Sequence, residues 1–427
     1  MTTETPARSL IHHPDFRRLW TGDALGQLGA QLTGIALPVL AVDQLAATEW
    51  QMGMLNAAET AAFLVIGLPA GAWVDRMRKR RVLIVADLVR AATLAVVVAA
   101  AATGHASMTL LIGAGLVISV ATVFFDVSHQ SYIPGLVGLE HLVEGNSKLQ
   151  ATQSVAAVVA PALGGLLLRI ITAPVLIAVN VVTYLVSAFA VGRIRHRETP
   201  PHPDTHRPLR VEIAEGLRFV VHEPYLRRIV ACTGLSNFGS AIGGAVTVIF
   251  VLRTLGLGTA AWGTIVSAAA IGGLLGAVAA AGIARRVGEG RIIPITALVM
   301  APAYALTPLA ATSVVPPAVL LIAGGAVFGF GVIVYNVAQV SFRQRVCPPA
   351  LLGRMNASVR TIVWGTMPIG GLIGGWLGTR LGVVPTLWVA VVVMALASLP
   401  VVISPLLGMR DLPGAPVAAD APAATDA

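Results

Sequence analysis

The chain has 427 residues, 56% of them hydrophobic and 11% charged, with mean hydropathy +0.81 and a formal net charge of +9. A soluble domain carries about 25% charged and about 45–50% apolar residues. An ordinary soluble enzyme and a disordered chain are therefore excluded, and two cysteines, Cys232 and Cys347, make no disulfide scaffold. In so apolar a chain the positive balance points to loops beside anionic lipid and not to nucleic acid.

A hydrocarbon core of about 30 Å takes about 20 helical residues to cross. Twelve apolar runs reach that length: 19–42, 51–73, 82–103, 108–129, 149–168, 173–192, 229–252, 260–282, 292–310, 315–340, 357–378 and 383–405. They are continuous and do not alternate, so the spacing predicts an all-α membrane protein and not a barrel. The N-terminus is polar up to Arg17-Arg18 and no cleavage site follows, which predicts an uncleaved first span. Of 29 lysines and arginines, Arg169, Arg253 and Arg380 fall on one side, Arg90 and Arg360 fall inside spans, and 24 fall on the other side. That bias predicts a multi-pass protein of the inner cell membrane with both termini cytoplasmic.

One polar stretch divides the spans. The predicted organisation is a six-helix bundle over 1–193, a cytoplasmic linker over 194–222, a second six-helix bundle over 223–410 and a disordered Ala/Pro-rich tail over 411–427. Within the linker, Leu209–Val221 predicts a short amphipathic helix on the membrane surface.

The two halves align at a constant offset of 210 without gaps: Gln27 falls on Asn237, Arg76 on Arg286, Phe125-Asp126-Val127 on Tyr335-Asn336-Val337, and Gly164-Gly165 on Gly374-Gly375. A fixed offset across six span pairs predicts a parallel duplication, an architecture of transporters with the substrate site between the halves. Charge breaks the repeat in one direction. Asp23 falls on Thr233, Glu59 on Ala269, Asp87 on Ala297 and Asp126 on Asn336, so every intramembrane carboxylate sits in the first half.

Between the second and third spans runs Gly71-Ala-Trp-Val-Asp75-Arg76-Met-Arg-Lys79-Arg80. A glycine permits close helix approach, an aspartate at a helix end can pair with arginines or a facing helix N-terminus, and the arginines can hold two bundles together. This run resembles the loop signature Gly-x-x-x-Asp-Arg-x-Gly-Arg-Lys of the major facilitator superfamily, departing from it at Arg78. Ala160-Pro161-Ala-Leu-Gly164-Gly165 is similar to the antiporter signature Gly-Pro-x-x-Gly-Gly, with Ala160 replacing the first glycine, although small residues also serve plain helix packing. Pro14-Asp-Phe-Arg-Arg-Leu-Trp20 and Glu215-Gly-Leu-Arg-Phe-Val-Val-His-Glu-Pro224 look like the drug:proton antiporter branch that includes enterobactin-type exporters. The resemblance runs to about residue 407 and implies the major facilitator fold, alternating access, and a gating role for Gly71, Asp75, Arg76, Lys79 and Arg80.

It also implies that spans one, four, seven and ten line the cavity. Polar residues recur on those spans: Asp23, Gln27 and Gln31; Asp126 and His129; Asn237; and Asn336, Gln339 and Arg343. Hydrogen bonding between helices is the competing role of the amides. Desolvation disfavours a charged carboxylate and lets it exchange protons near neutrality. Glu59, Asp126 and Asp23 are the proton-coupling candidates. Glu59 lies about 12 Å into its span, and Asp126 and Asp23 lie within about 6 Å of the cytoplasmic end. Asp87 and Arg90, three apart, are read as neutralising each other. No nucleophile–base set, metal-ligand spacing or phosphate cradle occurs in the sequence.

The expected activity is therefore not enzymatic and needs no cofactor or metal. It is proton-coupled efflux of a hydrophobic or amphipathic small molecule by a monomer whose partners are substrate, protons and lipid. An importer or lipid flippase of the same fold, or a sensor or scaffold that moves nothing, remain the alternatives.

Overall fold

The computed structural model describes residues 10–138, 141–196, 198, 209–348 and 351–410, with a few helical residues, Asp75 among them, described by backbone alone. The tail over 411–427 and much of the linker lie outside the described residues.

The first half contains α1 (Pro14–Val39), α2 (Glu49–Val65), α3 (Gly67–Asp75), α4 (Lys79–Ala102), α5 (Met108–Val137), α6 (Leu142–Leu167) and α7 (Ala173–Gly192). After α8 (Leu209–His222) in the linker, the second half contains α9 (Pro224–Ile249), α10 (Thr259–Val287), α11 (Glu289–Leu309), α12 (Pro317–Val346), α13 (Leu352–Leu381) and α14 (Val383–Val402). Ten helical segments among the described residues are long and apolar enough to cross a membrane. The other two of the twelve runs fold as α2–α3, interrupted at Ile66 (φ −120°, ψ 0°), and as α13, which is rich in glycine and carries Arg354, Arg360 and Arg380.

Local sequence starts and ends the helices in matching ways in both halves. His13 caps α1 through Nδ1, which accepts from the Phe16 N–H at 3.1 Å, and the matching Glu223 caps α9 by accepting from the Leu226 N–H. Each cap is followed by proline, whose fixed φ suits the first helical turn. Both helices end in a π-turn at matching positions, Leu40–Gln44 and Phe250–Thr254. Both turns then place a residue in the left-handed region: Gly256 at φ +63°, and its mate Ala46 at φ +49°.

Packing repeats in the same way. In the first half α1 packs on α6 and α7, α4 on α5 and α7, and α2 on α5; in the second, α9 packs on α13 and α14, α11 on α12 and α14, and α10 on α12. The halves meet through α2 on α13 and α6 on α10, two seams that exchange under the repeat. The outer surface carries Val65, Leu275 and Val278 at 58–79% exposure. Each such side chain costs about 1.5–3 kcal/mol to leave in water, so this is a multi-pass membrane protein with its apolar exterior against lipid.

The linker contains the expected short helix, and α8 docks on α13: Val220 is buried with Met355 and Val359, and Glu215 pairs with Arg354. Gly216 makes the crossing possible, because a Cβ there would sit 2.5 Å from the Arg354 carbonyl oxygen.

Candidate functional site

A polar cluster is built inside the first half from four helices. Helical spacing sets its local pairs. Asp87 and Arg90 on α4, and Asp126 and His129 on α5, are each three apart and share a face. Arg90 binds Asp87 at 2.5 Å, and its guanidinium lies 4.2 Å from the Phe125 ring centroid and 4.5 Å from that of Tyr184. His129 Nε2 approaches Asp23 of α1 at 3.7 Å and stacks its ring on Phe125. A cavity of about 210 Å³ is lined by Asp23, Gln27, Asp87, Arg90, Asp126 and Tyr184, with further small and polar neighbours. From the second half, Arg360 of α13 reaches Asp126 Oδ2 at 3.6 Å.

The two arginine pairs differ in kind. Arg90 and Asp87 are dry, with side chains 7% and 1% exposed. Breaking a buried pair by removing one partner costs about 3–5 kcal/mol. Arg360 and Asp126 are 35% and 38% exposed, so water reaches them and the pair is held weakly. The cluster as a whole holds three carboxylates, two guanidiniums and one imidazole. With the imidazole neutral it carries one uncompensated negative charge, which a proton can balance.

Helices α1 and α5 run past their apolar spans at the linker-side ends. Asp23 lies nine residues into α1 and Asp126 eleven residues before the end of α5, about 14 Å and about 16 Å from those ends. Both are thus near mid-bundle, as is Glu59, about 15 Å into α2. Glu59 is exposed. It sits with its Cγ beside Gly115 of α5, one turn before Phe63, whose ring carries the Arg360 guanidinium at 5.2 Å. Gln31 lies one turn beyond Gln27 on α1, half-buried.

The positions of the second half that match the cluster's charged residues are neutral. Gln339, the mate of His129, donates to Asn336, the mate of Asp126, at 3.2 Å. Tyr335 shares a 2.8 Å hydrogen bond with Thr233, the mate of Asp23. Arg343 is half-buried, one turn beyond Gln339 on α12. Asn237 donates to the Val363 carbonyl at 3.1 Å, the helix-to-helix role that competed with a cavity role for it.

The glycine motif falls on a seam. A Cβ on Gly165 would lie 2.6 Å from the Thr259 carbonyl oxygen and 2.9 Å from Gly263 Cα. Pro161 contributes its carbonyl to the same contact, while Gly164 packs on Leu32 of α1. The mates Gly375 and Gly53 cross in the same way at the other seam. All four glycines lie toward the face away from the linker. There Arg253 adds a bridge between the halves, donating to the carbonyls of Val42 at 2.5 Å and Ala47 at 2.7 Å. Toward the linker face, a crevice of about 680 Å³ lies between Asn146–Val155 of α6 and Leu274 of α10. The far face is therefore sealed and the linker side of this seam is open.

In the loop signature, Glu198 of the linker accepts from the N–H groups of Lys79 and Arg80, both at 2.7 Å, and so caps α4. The Arg80 guanidinium binds the carbonyls of Val191 and Gly192 at the end of α7. Arg76 is exposed, and the Asp75 side chain lies outside the described residues. Close approach does not explain Gly71, since no described atom falls within 4 Å of where its Cβ would be.

Three participants escaped the sequence reading. Asp87 and Arg90 read as self-neutralising in sequence, and Arg360 reads only as an arginine inside a span. Their presence inside spans was the available signal, because intramembrane charges usually face function.

The Major Facilitator Superfamily profile matches residues 19–370. Among curated proteins, the chain is 24% identical over 345 residues to the enterobactin exporter EntS of Escherichia coli, covering 81% of this chain and 80% of that one. It is 27% identical over 413 residues to the multidrug efflux pump Tap of Mycolicibacterium fortuitum, covering 91% and 95%. Among solved structures, a bacterial homologue of the iron transporter ferroportin in an inward-facing state aligns with TM-score 0.72 and 15% identity over 92% of this chain and 99% of that one. The nucleoside transporter NupG aligns with TM-score 0.74 and 13% identity over 91% and 99%. With its duplicated six-helix halves, paired seams and family match over most of its length, the chain belongs to the major facilitator superfamily of membrane transporters.

Proposed function

We propose that this transporter exports a hydrophobic or amphipathic small molecule from the cytoplasm in exchange for protons, as a monomer in the inner membrane with both termini cytoplasmic. The observation that carries the reading is the Asp126–Arg360 pair, a water-reached ion pair that joins the halves beside an excess carboxylate. Its mate under the repeat, Asn336 with Gln150, carries no charge. Kinship with an enterobactin exporter and a multidrug efflux pump supports efflux.

In the state seen here the far face is shut and the Asp126 carboxylate is paired. That suits a step in which the proton has left toward the cytoplasm and substrate enters from the linker side. Protonation of Asp126 removes the charge that holds Arg360, which frees α5 and α13 to move apart as the far face opens. Asp23 with His129, and Glu59 of α2 beside Gly115 of α5, are the other sites able to hold the exchanged proton. Gln27, Gln31, Asn336, Gln339 and Arg343 contact substrate in this scheme, and Asp75, Arg76, Lys79 and Arg80 bias the two end states. The relevant test is transport in proteoliposomes under an imposed pH gradient. Asp126→Asn, Glu59→Gln or Asp23→Asn is expected to abolish uphill accumulation while downhill exchange persists. Full pH-driven accumulation in all three variants would show that protons are not coupled through these residues.

A further inference from the structure

A second cavity lies on the outer wall of the first half, away from the polar cluster. It is a groove of about 770 Å³ between α4 and α5, with Val82, Val85 and Val89 on one side and Leu116, Val120 and Phe124 on the other. At the linker end its mouth is formed by Met77, Arg78 and Arg81. The apolar walls run about 12 Å along both helices, from Arg81 to Val89 and from Phe124 to Leu116. Val85 and Leu116 are 57% and 47% exposed, so the groove opens outward to hydrocarbon. Trp73 of α3 stacks on Phe124 beside the mouth at 6.1 Å, an aromatic at the level expected for lipid headgroups.

Arg78 and Arg81 are both exposed, and among the described residues neither forms an ion pair. The helix N-terminus beside them is already occupied, since Glu198 takes the Lys79 and Arg80 N–H groups. An anion at the mouth would thus meet two guanidiniums, groups whose planar fork suits phosphate. Arg285 stands apart from this groove, lining a separate pocket of about 220 Å³ in the second half.

We infer that the α4–α5 groove is a binding site for one anionic phospholipid, with its phosphate on Arg78 and Arg81 and an acyl chain along the valine wall. A lipid seated there rests against Met77 and Arg78 and so touches the loop signature directly.

Native mass spectrometry of the delipidated full chain, titrated with phosphatidylglycerol or with phosphatidylcholine of the same chain length, tests this. A first phosphatidylglycerol is expected to bind at least tenfold tighter than phosphatidylcholine. Arg78→Gln and Arg81→Gln should each weaken it about fivefold, whereas Arg285→Gln should leave it unchanged. Val85→Trp, which fills the groove from an exposed position, should weaken both lipids. Equal binding of the two lipids, or undiminished phosphatidylglycerol binding in the double arginine variant, would overturn the proposal. So would undiminished binding of both lipids by Val85→Trp, because the lipid would then sit outside the groove.

Discussion

Asp126 of α5 and Arg360 of α13 stand 3.6 Å apart across the two halves, and each is about a third exposed. Residues that act as a unit show non-additive effects. A double-mutant cycle with Asp126→Asn and Arg360→Gln, read as the rate of downhill exchange, should give a coupling energy of about 0.5–3 kcal/mol. Additive effects would mean that the pair is an incidental contact of this conformation.

The dry pair in the same cluster should behave differently. Asp87→Ala leaves the Arg90 guanidinium buried without its carboxylate, at a cost of about 3–5 kcal/mol. The apparent Tm in detergent should fall clearly. Asp87→Leu combined with Arg90→Met should recover most of that loss, because an apolar replacement leaves no uncompensated charge. A single variant as stable as wild type would show that water or a counter-ion already serves Arg90.

The glycine crossings should be interchangeable in effect. Gly165→Leu and Gly53→Leu place side chains against the backbones of Gly263 and Gly375. Both should pry open the far face and raise the labelling rate of a cysteine introduced at Thr259 from that side. Unaltered labelling in both would place the seal elsewhere.

Arg253 bonds two carbonyls of the other half, and hydrogen bonds to charged groups contribute about 1.5–3 kcal/mol each. Arg253→Ala should shift the population toward a far-face-open state. Spin labels on the 45–48 and 255–258 loops would then report longer distances. Arg253→Lys keeps the charge but loses the two-pronged geometry, and should lie between the two. A distance distribution identical to wild type in Arg253→Ala would remove the bridge from the mechanism.

Span positions, the parallel duplication and the one-sided placement of carboxylates were legible in the sequence, because each depends on composition along the chain. Hydrocarbon selects apolar runs whatever their neighbours, and a duplication leaves a constant offset. The linker helix was legible for the same reason, as periodicity, although its docking on Met355 and Val359 was not.

What only the tertiary structure decided is which groups meet. Asp87 and Arg90 satisfy each other in sequence, yet packing of α1, α5 and α7 around them sets Asp23, His129 and Asp126 close by. Arg360 finds Asp126 because α13 crosses between the halves, a neighbour relation spanning 234 positions that no local pattern encodes. How far polar turns carry α1 and α5 beyond their apolar runs was also decided by the fold, because hydropathy marks the hydrocarbon boundary but not the helix end. The sealed far face likewise follows from backbones in contact at Gly53, Gly165, Gly263 and Gly375. Their small size is written in the sequence, but which helix each one admits is fixed only when the two bundles come together.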